Sequence, residues 1–246
     1  VSSSSFSSSS QSSQTDSPFP EGQQRKLVIV SIEDYPGDNI DLIGYVHPII
    51  DPWCNCLKNR YGFDNPVIIK DSNATVVNVE AAIVTATSGL VEGDAFVFIF
   101  TGHGTRRGDT SGDEDDGQDE IRYLYGEDWS DDRIRQVIDA IPSGVKITFI
   151  FDSCFAGTGT RVISRQPRLI PEEDMRETLF ASSAADTSSW MTSNGGKFSN
   201  ATINVLNTSC NTITAQQLFD QILVSVSEQN PQLEGPASLK NSRVFV

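Results

Sequence analysis

At 246 residues the chain is long enough for one large domain or two small ones with a sizeable core. Its 33 acidic and 18 basic residues give a formal net charge of −15. That balance argues against nucleic acid or an anionic membrane surface as the main partner, since both need basic patches, and suits metal cations or basic polypeptides. No apolar stretch approaches the roughly 20 residues that span a bilayer, and no charged-then-apolar leader precedes the domain, although the chain opens at Val1 rather than Met.

Residues 1–24 are rich in Ser and Gln and read as a disordered arm, because they bury almost nothing. Strand and helix then alternate. Leu27 to Ile32 is a strand, followed by the turn Tyr35-Pro36-Gly37-Asp38. Asp51-Pro52 predicts an N-cap with proline at the first helical position, in a helix that runs to Tyr61 and ends at Gly62. Val67 to Lys70 is a second strand. Thr75 caps a helix with Val76, Val79 and Ile83 on one face. The run Ala95 to Thr101 is apolar without alternation, as in a strand buried on both faces, and is followed by an acidic loop.

Ser130 caps a helix carrying Ile134, Val137, Ile138 and Ile141, which Pro142 stops. Ile147 to Asp152 is another doubly buried strand, followed by a polar loop with several arginines. Thr178 to Ser182 reads as a short fifth strand and Phe198 to Leu206 as a helix. Thr214-Ala215-Gln216-Gln217 is a capping box, and Ser242 to Val246 reads as a last strand. This alternation implies a mostly parallel sheet with helices on both faces.

The four cysteines, Cys54, Cys56, Cys154 and Cys210, are too few and too unevenly placed for a disulfide framework. With only two histidines in the chain, a zinc site at Cys54 and Cys56 is not expected. Sequons at Asn73, Asn200 and Asn207 are of the kind that chance supplies in a Ser/Thr/Asn-rich chain. We therefore expect a cytoplasmic protein.

His103 and Cys154 each end an apolar strand and enter a glycine-containing turn. In open parallel sheets the working residues lie just beyond the carboxyl ends of the strands, so the two form a candidate nucleophile and base. An imidazole near a thiol lowers its pKa and can protonate a leaving amine. The spacing from 103 to 154 is close to the ~50 residues that separate His from Cys in one cysteine-protease family.

Taken together, Thr101-Gly102-His103-Gly104-Thr105-Arg106, the acidic stretch Gly112 to Glu120, and Asp152-Ser153-Cys154 resemble the metacaspases, caspase-like cysteine peptidases. The resemblance extends through Tyr35-Pro36-Gly37, Leu42-Ile43-Gly44, Arg60-Tyr61-Gly62-Phe63, Ala181 to Ser188 and Gln229 to Leu233. It implies a three-layer α/β/α sandwich over residues 25–246, with a large-subunit-like part to about 165 and a small-subunit-like part from about 175. It also implies peptide hydrolysis after arginine or lysine, with His103 as acid/base, Cys154 as nucleophile, and the N–H groups of Gly104 and Cys154 as oxyanion donors.

By the same resemblance, Asp152 and Thr101 line the primary pocket, and Ser182 and Ser183 pair with the substrate backbone. The family's second pocket carboxylate falls on Pro48, and Asp51 is a candidate replacement. His47 takes an Asn position and reads as a pocket-rim or structural histidine. Calcium is implied as an activator, with Asp119, Asp131 and Asp132 as ligands. A fourth family ligand falls on Arg161 and is absent by that count. Arg161, Arg165 and Arg168 are candidate self-processing sites. No organic cofactor is expected, and the partners are polypeptides with basic residues bound by a monomer. The alternatives are a peptidase of altered specificity and a regulatory pseudo-peptidase.

Overall fold

The computed structural model describes residues 19–20, 22–37, 40–108, 118–157, 171–184 and 188–245, with only the backbone of Gln118 and Asp119. Most of the Ser-rich arm, the acidic stretch 109–117 and the arginines at 161, 165 and 168 lie outside the described residues.

In chain order the elements are β1 (Arg25–Ser31), α1 (Ile50–Tyr61), β2 (Val67–Lys70), α2 (Val76–Thr87), β3 (Ala95–Thr101), β4 (Gly104–Gly108), β5 (Gln118–Leu124) and β6 (Glu127–Ser130). They continue with α3 (Asp131–Ala140), β7 (Lys146–Asp152), β8 (Glu177–Ala181), β9 (Met191–Thr192), β10 (Gly195–Gly196), α4 (Lys197–Thr208), α5 (Ala215–Val226), β11 (Gln232–Glu234) and α6 (Ala237–Lys240).

The main sheet has the order β11-β8-β7-β3-β1-β2. All its neighbours are parallel except β11, which pairs antiparallel with β8. Period-two alternation sorts its side chains into two cores. Val28, Val30, Phe96, Phe98, Phe100, Phe149 and Phe151 pack with α2 and α3 on one face. Leu27, Ile29, Val97, Ile99, Ile150 and Phe180 pack with α1, α4 and α5 on the other. A strand covered on both faces can be apolar at every position, which explains why β3 and β7 show no alternation in sequence.

The expected helices are present. Ser130 and Thr75 cap α3 and α2, and Thr214 with Gln217 forms the capping box of α5. Three expectations fail. Asp51 is not an N-cap: a 3-10 turn at His47–Ile49 leads directly into α1, so the helix begins earlier and Asp51 sits exposed in its first turn. Residues 242–245 form no strand, only an isolated bridge from Thr214 to Arg243. The acidic loop after His103 contains a separate antiparallel sheet, β4-β5-β6. Its middle strand hides Glu120 and Arg122, and burying charge is what made it read as a loop.

Candidate active site

The carboxyl ends of β3 and β7 lie side by side, with Thr101 and Asp152 as the last register partners. His103 and Cys154 each stand two residues beyond that pair, and both are partly exposed. Their loops are pressed together at Gly104, where a Cβ would come within 1.9 Å of the Cys154 carbonyl oxygen. Only glycine allows this approach.

His103 is oriented by the loop that follows β1, which the sequence marked as a turn without indicating this contact. Its N–H donates to the Tyr35 hydroxyl at 2.7 Å, and its ring lies 5.0 Å from the Tyr35 ring. Its Nε2 lies 2.6 Å from the Ile40 carbonyl. A carbonyl can only accept, so Nε2 carries the proton and Nδ1 is left as the base. Tyr35 also stacks on Tyr123 of β5, 5.6 Å away.

The turn that carries Cys154 is clamped from behind. Ser182 Oγ accepts from the Ser153 N–H at 3.0 Å and donates to the Ser153 carbonyl at 2.9 Å. Ser183 Oγ donates to the same carbonyl at 3.2 Å. Both serines are fully buried. They follow β8, the neighbour of β7, and their hydroxyls turn into the adjoining loop. Arg122 holds the turn from β5, donating through Nη2 to the Phe155 carbonyl at 2.7 Å.

The direction of the Gly104 N–H follows from the ladder. Gly104 faces Arg122 in the β4–β5 ladder, and the Tyr123 N–H donates to the His103 carbonyl at 3.0 Å. Gly104 and Arg122 are thus a non-hydrogen-bonded pair, and the Gly104 N–H points away from β5.

Ser31, Thr101 and Asp152 form a register row across β1, β3 and β7, all fully buried. The Ser31 and Thr101 hydroxyls have no hydrogen-bond partner among the described residues. Asp152 accepts from the Ser199 N–H in the first turn of α4 at 2.9 Å and from Ser189 Oγ at 3.0 Å. Burial pushes its carboxyl above the ordinary carboxylate range, partly offset by donors from Ser199 and Ser189. Gly196 closes the wall, since a Cβ there would meet Asp152 Oδ2 at 1.9 Å.

Ser189 also reaches Cys154, its N–H lying 3.4 Å from Sγ. The neighbouring Trp190 is 59% exposed. Asp51 is exposed in the first turn of α1, and its side chain makes no hydrogen bond or ion pair among the described residues. His47 is structural, its ring nitrogens 3.1 Å from Glu33 and 3.2 Å from Asp71.

Of the expected calcium ligands, Asp131 is fully buried and accepts the N–H groups of Glu120 at 3.2 Å and Asp132 at 2.9 Å. The side chain of Asp119 lies outside those described. Among the described residues no group of three His, Cys, Asp or Glu gathers as metal ligands. The donor type suits a hard cation, because carboxylate oxygens are the ligands calcium takes.

The family model for the metacaspase peptidase C14 domain matches residues 25–162, more than half of the chain. Metacaspase-4 of Arabidopsis thaliana is 32% identical over 142 residues, covering 54% of this chain and 34% of that protein. Metacaspase-1 of Kluyveromyces lactis is 27% identical over 202 residues, covering 73% and 46%. The chain thus spans less than half the length of these curated relatives. Among solved structures, a Geobacter sulfurreducens protein superposes with a TM-score of 0.71 at 19% identity, over 91% of this chain and 98% of that one. Caspase-1 of Spodoptera frugiperda superposes with a TM-score of 0.64 at 14% identity, over 87% of each chain. Identities this low speak to the caspase-like α/β fold alone.

Proposed function

The chain belongs to the metacaspase family of caspase-like cysteine peptidases, and on that footing we propose that it is an endopeptidase cleaving after arginine or lysine through Cys154 and His103. The observation that carries this reading is the contact of Gly104 with the Cys154 carbonyl, which leaves no room between the His103 and Cys154 loops. In the proposed reaction Nδ1 of His103 takes the thiol proton and the thiolate attacks the scissile carbonyl. The oxyanion is held by the N–H groups of Gly104 and Cys154. His103 then returns its proton to the leaving amine, and water releases the acyl group.

Asp152 would bind the substrate guanidinium, with the idle hydroxyls of Thr101 and Ser31 within the same row. With Pro48 at the family's second carboxylate position, Asp152 is the buried carboxylate this reading relies on. That favours arginine, whose planar fork suits a single carboxylate better than a point charge does. Asp119, Asp131 and Asp132 would hold calcium, which when bound would neutralise their crowded charge. The enzyme would act as a monomer on polypeptides rich in basic residues.

The test is hydrolysis of arginyl peptides. Cys154→Ala should abolish it while changing stability by less than about 1 kcal/mol, and His103→Ala should do nearly the same because the pair acts as a unit. Substantial activity in Cys154→Ala would overturn the assignment.

A further inference from the structure

β5 carries an arginine for which the chemistry above has no use. Arg122 is fully buried, and a guanidinium is costly to remove from water unless it is paired. Its contacts converge on one place. Nη2 donates to the Phe155 carbonyl at 2.7 Å, Nη1 donates to Ser153 Oγ at 3.4 Å, and the guanidinium lies over the Phe151 ring at 4.9 Å. Ser153 and Phe155 are the residues on either side of Cys154.

Phe155 has φ of 50°, in the left-handed region that a bulky residue rarely enters. Such a conformation costs on the order of 1–3 kcal/mol and persists only where its surroundings enforce it. The bond from Arg122 to the Phe155 carbonyl is one such constraint. The clamps from Ser182 and Ser183 act on Ser153, and Arg122 adds a hydrogen bond on the far side of Cys154, to Phe155.

Burial pulls the Arg122 guanidinium down to about 10, opposed by Glu120, Asp131 and Cys154, so it is a cation at neutral pH. The other charged or titratable groups around the turn are Arg106, which pairs with Glu120 at 3.5 Å and lies over the Phe155 ring, His103 across the Gly104 contact, and Asp152 two residues before the nucleophile.

We propose that Arg122 is a positioning residue: a buried cation that locks the turn on both sides of Cys154 and sets a fixed charge beside its sulfur. The proposal rests on the reading of Cys154 as the nucleophile. A fixed positive charge beside a thiol favours the thiolate, and the rigid fork fixes the direction in which the sulfur is presented.

The experiment is alkylation of the full chain by iodoacetamide across a pH series, followed by mass spectrometry on the peptide that contains Cys154. Arg122→Met should move the pH midpoint of alkylation upward by about one unit, so that modification below the midpoint slows about tenfold. Arg122→Lys keeps the charge and should stay closer to the wild type than to Arg122→Met. An unmoved midpoint in folded Arg122→Met, checked by a cooperative melt, would overturn the proposal. So would a midpoint in Arg122→Lys raised as far as in Arg122→Met, since the role would then be one of shape. Should Arg122→Met fail to fold, Arg122→Gln, which retains a donor for the Phe155 carbonyl, is judged by the same two outcomes. Peptide hydrolysis by the wild type is measured alongside: a wild type that is alkylated normally but cleaves nothing counts against the peptidase reading, not against Arg122.

Discussion

Asp152 serves two structures at once, as the anchor for the first turn of α4 and as the carboxylate nearest the proposed substrate pocket. Asp152→Ala should lower kcat/KM for arginyl substrates by two orders of magnitude or more, corresponding to the roughly 3–5 kcal/mol lost when a buried ion pair is broken. A peptide library profiled against the purified protein checks this, and preference for aspartate or asparagine before the scissile bond would contradict it. The pH dependence follows from the direction of its shift. The folded carboxyl is raised above the ordinary value of 3.8, so the native state binds the proton more tightly than the unfolded chain. Stability contributed by this residue is therefore full below that value and falls as pH rises through the window above it. Asp152→Asn should melt higher than the wild type near neutral pH, and the difference should shrink as pH falls through the window above 3.8 and vanish below it. Thermal melts across that range measure it.

Among the elements, the meeting of β4 with the end of β7 decides the geometry of the site. Gly104→Ala would place a methyl group 1.9 Å from the Cys154 carbonyl oxygen, and one backbone would have to give way. The expected result is loss of at least about 100-fold in kcat, in line with an oxyanion donor displaced, while the protein still melts cooperatively. Full activity in a folded Gly104→Ala would mean that this N–H takes no part. The role of β4–β5–β6 was not legible beforehand, because a strand that buries Glu120 and Arg122 has the composition of a solvated loop. By contrast α2, α3 and α5 were legible from their caps and apolar faces, which are local signals.

At the scale of the whole molecule, a net charge of −15 suits basic polypeptides as substrates and a divalent cation as activator. The arginines at 161, 165 and 168 lie between β7 and β8, which join the two halves of the sheet. We expect added calcium to cause cleavage after one of them in the wild type and not in Cys154→Ala. Mass spectrometry of the intact and digested chain checks this, and the absence of any cut between 158 and 178 would count against it. Among the described residues no helix is long and apolar enough to cross a membrane.

Strand order aside, the sequence alone determined most of the framework: buried strands from unbroken apolar runs, helices from their caps, and His103 with Cys154 from their places at strand ends. Those signals are local, since periodicity and capping depend on neighbours a few residues apart. Only the tertiary structure decided which polar residues face the site. Ser182 and Ser183 turn inward as clamps, Asp51 stays on the surface because α1 starts early, and Ser189, Tyr35, Ile40 and Arg122 arrive from distant segments. Such contacts arise from parallel strand register and from loops crossing the sheet edge, which join residues 30 to 70 positions apart in the chain. No pattern within a single segment encodes them.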